Sequence, residues 1–181
     1  MNQTIDKRWD EALARHGAVV NSFLESAAAV EEEAWHTPIG EGKWTPAQIA
    51  EHLILTYTTL VRQVQGGQGL RVQTGWLLRH VLRVLVLAPI MWLRKIPPGA
   101  KAPRDLRPGG DATTREVSLE RLRAAAAEFE DEIARRRDDK ELRLTHHVFG
   151  SVKPLKGINF VAIHTEHHGR QLRVGSDRRS R

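Results

Sequence analysis

Cysteine is missing from all 181 residues. That single absence removes disulfides, thiolate zinc sites and cysteine nucleophiles together, so any metal here must be held by nitrogen and oxygen. Aromatic residues are scarce, at 6% of the chain, and they are not interleaved with the basic ones as a single-strand binder requires. The net charge is +6. Much of the excess lies in Arg170, Arg173, Arg178, Arg179 and Arg181 and in the stretch Arg94 to Arg107, which reads as solvated surface. No nucleic-acid partner is expected from that distribution. Met1 to Asp10 carries no apolar run, so no signal peptide is expected and a cytoplasmic protein is the default. There is no internal repeat and no convincing strand run.

One apolar run does stand out, from Trp76 to Leu93. A membrane-spanning helix needs about 20 predominantly apolar residues. This run contains Arg79, His80 and Arg83 in its first half and Pro89 near its end, so no transmembrane span is expected. A buried helix or a subunit contact is the plainer reading, and a membrane-surface helix the sharper one. Trp76, Trp92 and their apolar neighbours would make a homodimer contact if exposed.

The remaining pattern is helical. Ile5, Trp9, Ala12, Leu13, Val20, Phe23, Leu24 and Ala27 keep helical spacing, with Gly17 a weak point among them. A polar stretch through Pro38 and Gly42 follows. Thr45, Pro46 and Gln48 then form a helix-start signal, with Thr45 as the cap and Gln48 completing a capping box. Ile49, His52, Leu53, Thr56, Leu60 and Val64 share one face of this second helix, and Gly66, Gly67 and Gly69 end it. Beyond the apolar run, Pro97, Pro98, Pro103, Pro108, Gly109 and Gly110 predict a long irregular loop, one that carries function or wraps the surface. A third core helix starts near Thr113, with Leu119, Leu122, Ala126, Phe129 and Ile133 as its inward stripe. A loop from Asp138 to Gly157 leads to a fourth, from about Ile158 to Val174. The expectation is an all-α four-helix bundle domain over residues 1–174, with an extra apolar helix and a Pro/Gly-rich loop inserted between helices two and three. Residues 175–181 read as a disordered basic tail.

Chemistry concentrates in the fourth helix. His164 and His168 are four residues apart, so their rings lie one turn apart on one face and can converge on one ion. His167, at a spacing of three, is the competing second ligand. No glutamate follows His164 directly, so the zincin protease motif is absent. His52 lies on the apolar face of the second helix, and in a bundle metal ligands project inward from facing helices. His52, His164 and His168 would supply three neutral nitrogens and leave positions for water or substrate, the pattern of a catalytic site. Gln171 and Glu166 are polar neighbours. Glu166 reads as an exposed helix residue, Glu51 as surface or an arginine's partner, and Arg170 as the nearest cation for an anionic substrate. His80 and His146 are further ligand candidates.

The segment Trp44, Thr45, Pro46, Ala47, Gln48, Ile49, Ala50, Glu51, His52, Leu53 resembles the helix-two signature of the DinB superfamily. His164, Thr165, Glu166, His167, His168, Gly169, Arg170, Gln171 resembles its closing-helix signature, and His147 to Gly150 its approach to that helix. The resemblance implies an up-down-down-up four-helix bundle, often dimeric. It implies a divalent metal, zinc or nickel, held by His52, His164 and His168, with His167 a neighbour and not a ligand. It implies thiol-dependent transferase or isomerase chemistry with a low-molecular-weight thiol. Between Gly66 and Gly110 the chain departs from the better-known members, in the region expected to shape the mouth of the site.

Two functional readings follow. One is a metal-dependent transferase or hydrolase acting on a small-molecule substrate through an activated thiol or water. The other is a non-enzymatic helical module with a structural or empty metal site, using the apolar helix 76–93 for a dimer, partner or membrane-surface contact.

Overall fold

The computed structural model describes residues 3–97, 102–109 and 113–179. Four long helices form the core: α1 (Gln3–Ala28), α3 (Pro46–Val64), α6 (Arg115–Arg135) and α7 (Pro154–Arg179). Between the first two lies a single turn, α2 (Glu32–Trp35), whose Trp35 is fully buried. The apolar run forms α4 (Trp76–Leu82), a π-helical turn over Arg83–Leu87, and α5 (Ala88–Leu93).

The directions of the core helices follow from which ends touch. In α1, Asp10 pairs with Arg137 just beyond the end of α6, and the Val30 carbonyl just after α1 accepts from Arg115 at the start of α6, so these two are antiparallel. Arg15 of α1 reaches Asn159 and Ser26 reaches Arg173, so α1 and α7 are parallel. The Val64 carbonyl at the end of α3 accepts from Arg136 at the end of α6, so α3 and α6 run together. The bundle is up-down-down-up, as the family resemblance implies. Phe23, Ile49, Leu53, Leu122, Phe129 and Ile158 are among the fully buried side chains at its centre.

Local signals explain the helix ends. Thr45 caps α3 by accepting from the Gln48 amide at 3.1 Å, and the Gln48 side chain accepts from the Thr45 amide at 3.0 Å. That reciprocal box fixes the first turn of the helix that carries His52. At its other end Gly66 takes φ 88, its N–H meets the Gln63 carbonyl, and the Gly67 N–H meets that of Arg62. This is a Schellman ending, which favours glycine because the left-handed residue pays no Cβ penalty.

A buried polar row crosses the bundle. Glu130 of α6 accepts from His16 Nδ1 of α1 at 2.5 Å, and His16 Nε2 meets the Tyr57 hydroxyl of α3 at 2.9 Å. Tyr57 in turn meets Thr165 Oγ1 of α7 at 2.7 Å. With the Nδ1 proton given to the carboxylate, Nε2 accepts from Tyr57, and Tyr57 accepts from Thr165. Burial holds the Tyr57 phenol well above its ordinary pKa; the Thr165 bond opposes this and the Glu130 charge adds to it. Gly17 leaves room beside Glu130: a Cβ there would stand 3.3 Å from its carboxylate oxygen, which would have to yield by a few tenths of an ångström.

The structure departs from expectation in four places. Leu144–His146 and Gly150–Val152 form a small antiparallel hairpin, with His146 opposite Gly150, where no strand is expected. Three residues are too few to show alternation, and the turn depends on Gly150 at φ 66. The last helix begins at Pro154 and continues to Arg179, through Gly175 to residue 179 of the expected tail; Ser180 and Arg181 lie outside the described residues, as does Lys101 of the loop. The apolar helix is not buried: only 11% of Trp76–Leu93 is. Leu87 and Ile90 alone turn fully inward, against Phe149 and Ile163. Finally, the loop that follows contains a 3₁₀ turn, Arg104–Leu106, whose Leu106 is buried.

Tyr57→Phe should destabilise the protein by about 1–3 kcal/mol, because it leaves His16 Nε2 and the Thr165 hydroxyl buried without their partner. Urea unfolding should show a lower midpoint with an unchanged slope. An unchanged midpoint would mean that the row contributes nothing net.

Candidate metal centre

The second turn of α3 and the middle of α7 face each other across the bundle, and His52, His164 and His168 meet there. Their ligand atoms all lie within 4.8 Å of one another. His164 Nε2 is 3.2 Å from His52 Nε2 and 3.2 Å from His168 Nε2. Two nitrogens bound to one ion at about 2.0–2.1 Å stand about 3.3 Å apart at a tetrahedral angle. The two observed spacings fit a shared cation, and they also fit a hydrogen bond.

The outer nitrogens decide which lone pairs point inward. His52 Nδ1 lies 2.6 Å from the Leu106 carbonyl, which can only accept, so Nδ1 carries the proton and Nε2 is bare. His168 Nδ1 lies 2.8 Å from Gln171 Oε1, so it too is a donor and its Nε2 is bare. Gln171 is oriented in its turn by its Nε2, which donates to His167 Nε2 at 3.1 Å. Two bare nitrogens thus converge on a third. One proton on His164 can satisfy only one of the two contacts well, whereas a cation satisfies all three. An imidazole whose far N–H is held by a carbonyl or amide is the usual second shell of a metal-ligating histidine.

Electrostatics agree with that chemistry. Burial lowers the pKa of His52, with the Leu106 hydrogen bond partly opposing. Burial first, and then the neighbouring histidines His168 and His52, hold His164 well below its ordinary value. Burial, then His52, push His168 down to about 3, with the Gln171 bond opposing. All three are neutral at pH 7, the form that binds metal. Among the described residues no carboxylate or fourth histidine joins the group. Trp44, just before the α3 cap, tilts over His52 with centroids 5.0 Å apart and stacks on His168 at 6.4 Å.

The group opens into a cavity of about 940 Å³. His146 and His167 line it as well. His146 is not part of the ligand group: its Nδ1 accepts from the Val148 and Phe149 amides at 3.1 and 3.3 Å, and it stacks on Phe149. Burial, then the His147 charge, push its pKa down to about 3. His80 is exposed, bonded to the Trp76 carbonyl, and lies away from the cavity. Glu51 accepts from the Gly109 amide. Glu166 is not an exposed residue: it is partly buried, bonded to Arg170 at 2.6 Å and near Arg94. Arg170 is therefore engaged and does not reach the cavity, and Lys43, Arg107 and Lys156 are the cations in the cavity lining. The Leu106 carbonyl was hidden from the sequence, because it lies 54 residues from His52 in a segment with no periodicity.

With the geometry in place, comparison with known proteins is informative. A family model of the DinB superfamily matches residues 12–172, and the chain belongs to that superfamily. No curated protein matches the chain. Among solved structures it is similar to TT2238, a four-helix bundle protein, with 25% identity and a TM-score of 0.58, over 91% of this chain and 98% of that one.

The buried imidazoles make the metal-free protein acid-labile. Below about pH 6.5 the unfolded chain binds protons that the folded one refuses, so stability is present above that pH and is lost as pH falls. For His146 and His168 the loss continues down to about 3. Each such group can contribute up to about 1.4 kcal/mol per pH unit. Urea midpoints of chelator-treated protein should fall between about pH 7.5 and about pH 5.5, and His146→Phe should make the decline shallower. A flat profile would contradict neutral burial.

Proposed function

We propose that this DinB-superfamily protein is a metal-dependent enzyme of the thiol-dependent transferase or hydrolase type, with a divalent ion, zinc or nickel, on His52, His164 and His168. The observation that carries the reading is the convergence of three Nε2 atoms, with the Nδ1 protons of His52 and His168 held away, at the wall of a large cavity. A structural ion is normally closed off by a fourth protein ligand, whereas a three-histidine set leaves room for substrate.

A divalent ion so held supplies Lewis acidity, lowering the pKa of a bound water or thiol towards neutrality. The rest is the work of the chain. Leu106 and Gln171 fix the tautomer and ring angle of His52 and His168. Trp44 covers one side of the imidazoles and keeps water from it. Val86, Ile90 and Phe160 give the cavity apolar walls, while Lys43, Arg107 and Lys156 offer positive charge to the carboxylates of a small thiol or an anionic substrate. A homodimer is compatible with this reading and is not required by it.

Metal content by plasma mass spectrometry, on untagged protein purified without chelator, tests the reading. Wild type should carry about one divalent ion per chain, and His52→Ala and His168→Ala should lose it. Wild type that stays metal-free after zinc or nickel is added would overturn the proposal. Gln171→Leu should retain the fold but weaken metal affinity about 10–100-fold in a chelator competition, as loss of an outer-shell partner does. A metal-loaded protein whose cobalt-substituted spectrum is unmoved by low-molecular-weight thiols would leave water as the activated group.

A further inference from the structure

The helix Trp76–Leu93 presents an apolar surface that the bundle does not use. It has 18 residues and a mean hydropathy of 1.6. Trp92 is 84% exposed and Trp76 72%, and Leu77, Val84, Leu85 and Leu93 are each more than half exposed. The two tryptophans lie sixteen positions apart, about 24 Å along a helix.

The chain segment that carries this face has charge of one sign. Residues 52–104 contain eight Lys and Arg side chains and no Asp or Glu, while the rest of the chain holds 20 basic and 22 acidic ones. The basic residues within the helix do not interrupt its outer face. Arg83 turns inward to the Phe149 and Ser151 carbonyls, and Arg79 to that of Thr74. Arg71 before the helix and Lys95 and Arg104 after it are exposed.

We infer that this face docks the protein on an anionic membrane surface, with the helix lying in the plane of the interface. An apolar face with tryptophans at its ends and cations at its margins matches the acyl boundary and the headgroup layer respectively. Two alternatives fit less well. A second copy in a two-fold contact would bring the exposed cations Arg71, Lys95 and Arg104 of both copies to one interface. A spanning helix would have to surrender the carbonyl bonds of Arg79 and Arg83 and the packing of Leu87 and Ile90 on Phe149 and Ile163. Val86, Leu87 and Ile90 also line the histidine cavity, so docking would place one cavity wall at the lipid boundary. The inference stands independently of whether the histidines hold metal.

Co-sedimentation with vesicles tests it, using phosphatidylcholine alone and phosphatidylcholine with about 30% phosphatidylglycerol. Wild type should bind the anionic vesicles about tenfold or more strongly than the neutral ones, and added salt should weaken binding. Leu77→Glu with Leu85→Glu changes two exposed residues, so its circular dichroism and unfolding midpoint should match wild type while vesicle binding falls at least about tenfold. Arg71→Gln with Lys95→Gln and Arg104→Gln should abolish the preference for anionic lipid. Wild type that binds vesicles no better than the Leu77→Glu, Leu85→Glu protein overturns the inference. If sedimentation equilibrium then shows a wild-type dimer that this variant disperses, the face is an interface between copies. Equal binding to neutral and anionic vesicles would overturn it as well.

Discussion

The buried row Glu130–His16–Tyr57–Thr165 is the constraint on which the arrangement depends. Apolar side chains at a helix interface tolerate small slips, because hydrophobic burial is non-directional. A hydrogen bond does not, and an unmade one in the core is costly. This row takes one residue from each core helix, α6, α1, α3 and α7 in turn. It therefore sets the height of each helix against the others. Thr165 is next to His164 and Tyr57 is five residues beyond His52, so the same register that satisfies the row brings the imidazoles together.

The histidine group is built on the opposite electrostatic principle. The row ends on a carboxylate, but no carboxylate or fourth histidine joins the three histidines among the described residues. Burial and the repulsion that protonated neighbours would exert keep the three imidazoles neutral, and their lone pairs have no protein donor to meet in full. Such an arrangement favours the folded state less than an apolar core would. A site of this kind is held in place by surrounding structure, here the capped start of α3, the Gln171–His168 bond and the Leu106 carbonyl.

Much of this was legible in the sequence, for identifiable reasons. Helix periodicity and the Thr45–Gln48 box act over a few residues, so the long helices and the orientation of His52 could be read directly. The i, i+4 pair His164 and His168 is equally local, and Gln171 sits one turn beyond. What escaped depends on contacts distant in sequence. His16 gives no local signal, and Gly17 reads only as a weak point in the helix, because Glu130 lies 114 residues from His16. The strands around Gly150 are too short for a pattern. The apolar run reads as a buried helix, a subunit contact or a membrane-surface helix alike, because composition reports hydrophobicity and not what covers it.

The segment between α3 and α6 joins the site to the surface, and that is its structural significance. Its loop sends the Leu106 carbonyl to His52, and its helix sends Ile90 and Leu87 to the cavity wall. The same helix turns Trp76, Leu85 and Trp92 to solvent. A ligand for the outer face and a substrate for the cavity would thus contact opposite sides of one element. Arg79 and Arg83 tie that element to the hairpin and to the turn before it, and His146 of the hairpin also lines the cavity. Any shift of the helix on a surface must move the cavity wall or break these bonds. The bundle helices supply the ligands, and the insertion sets what can reach them.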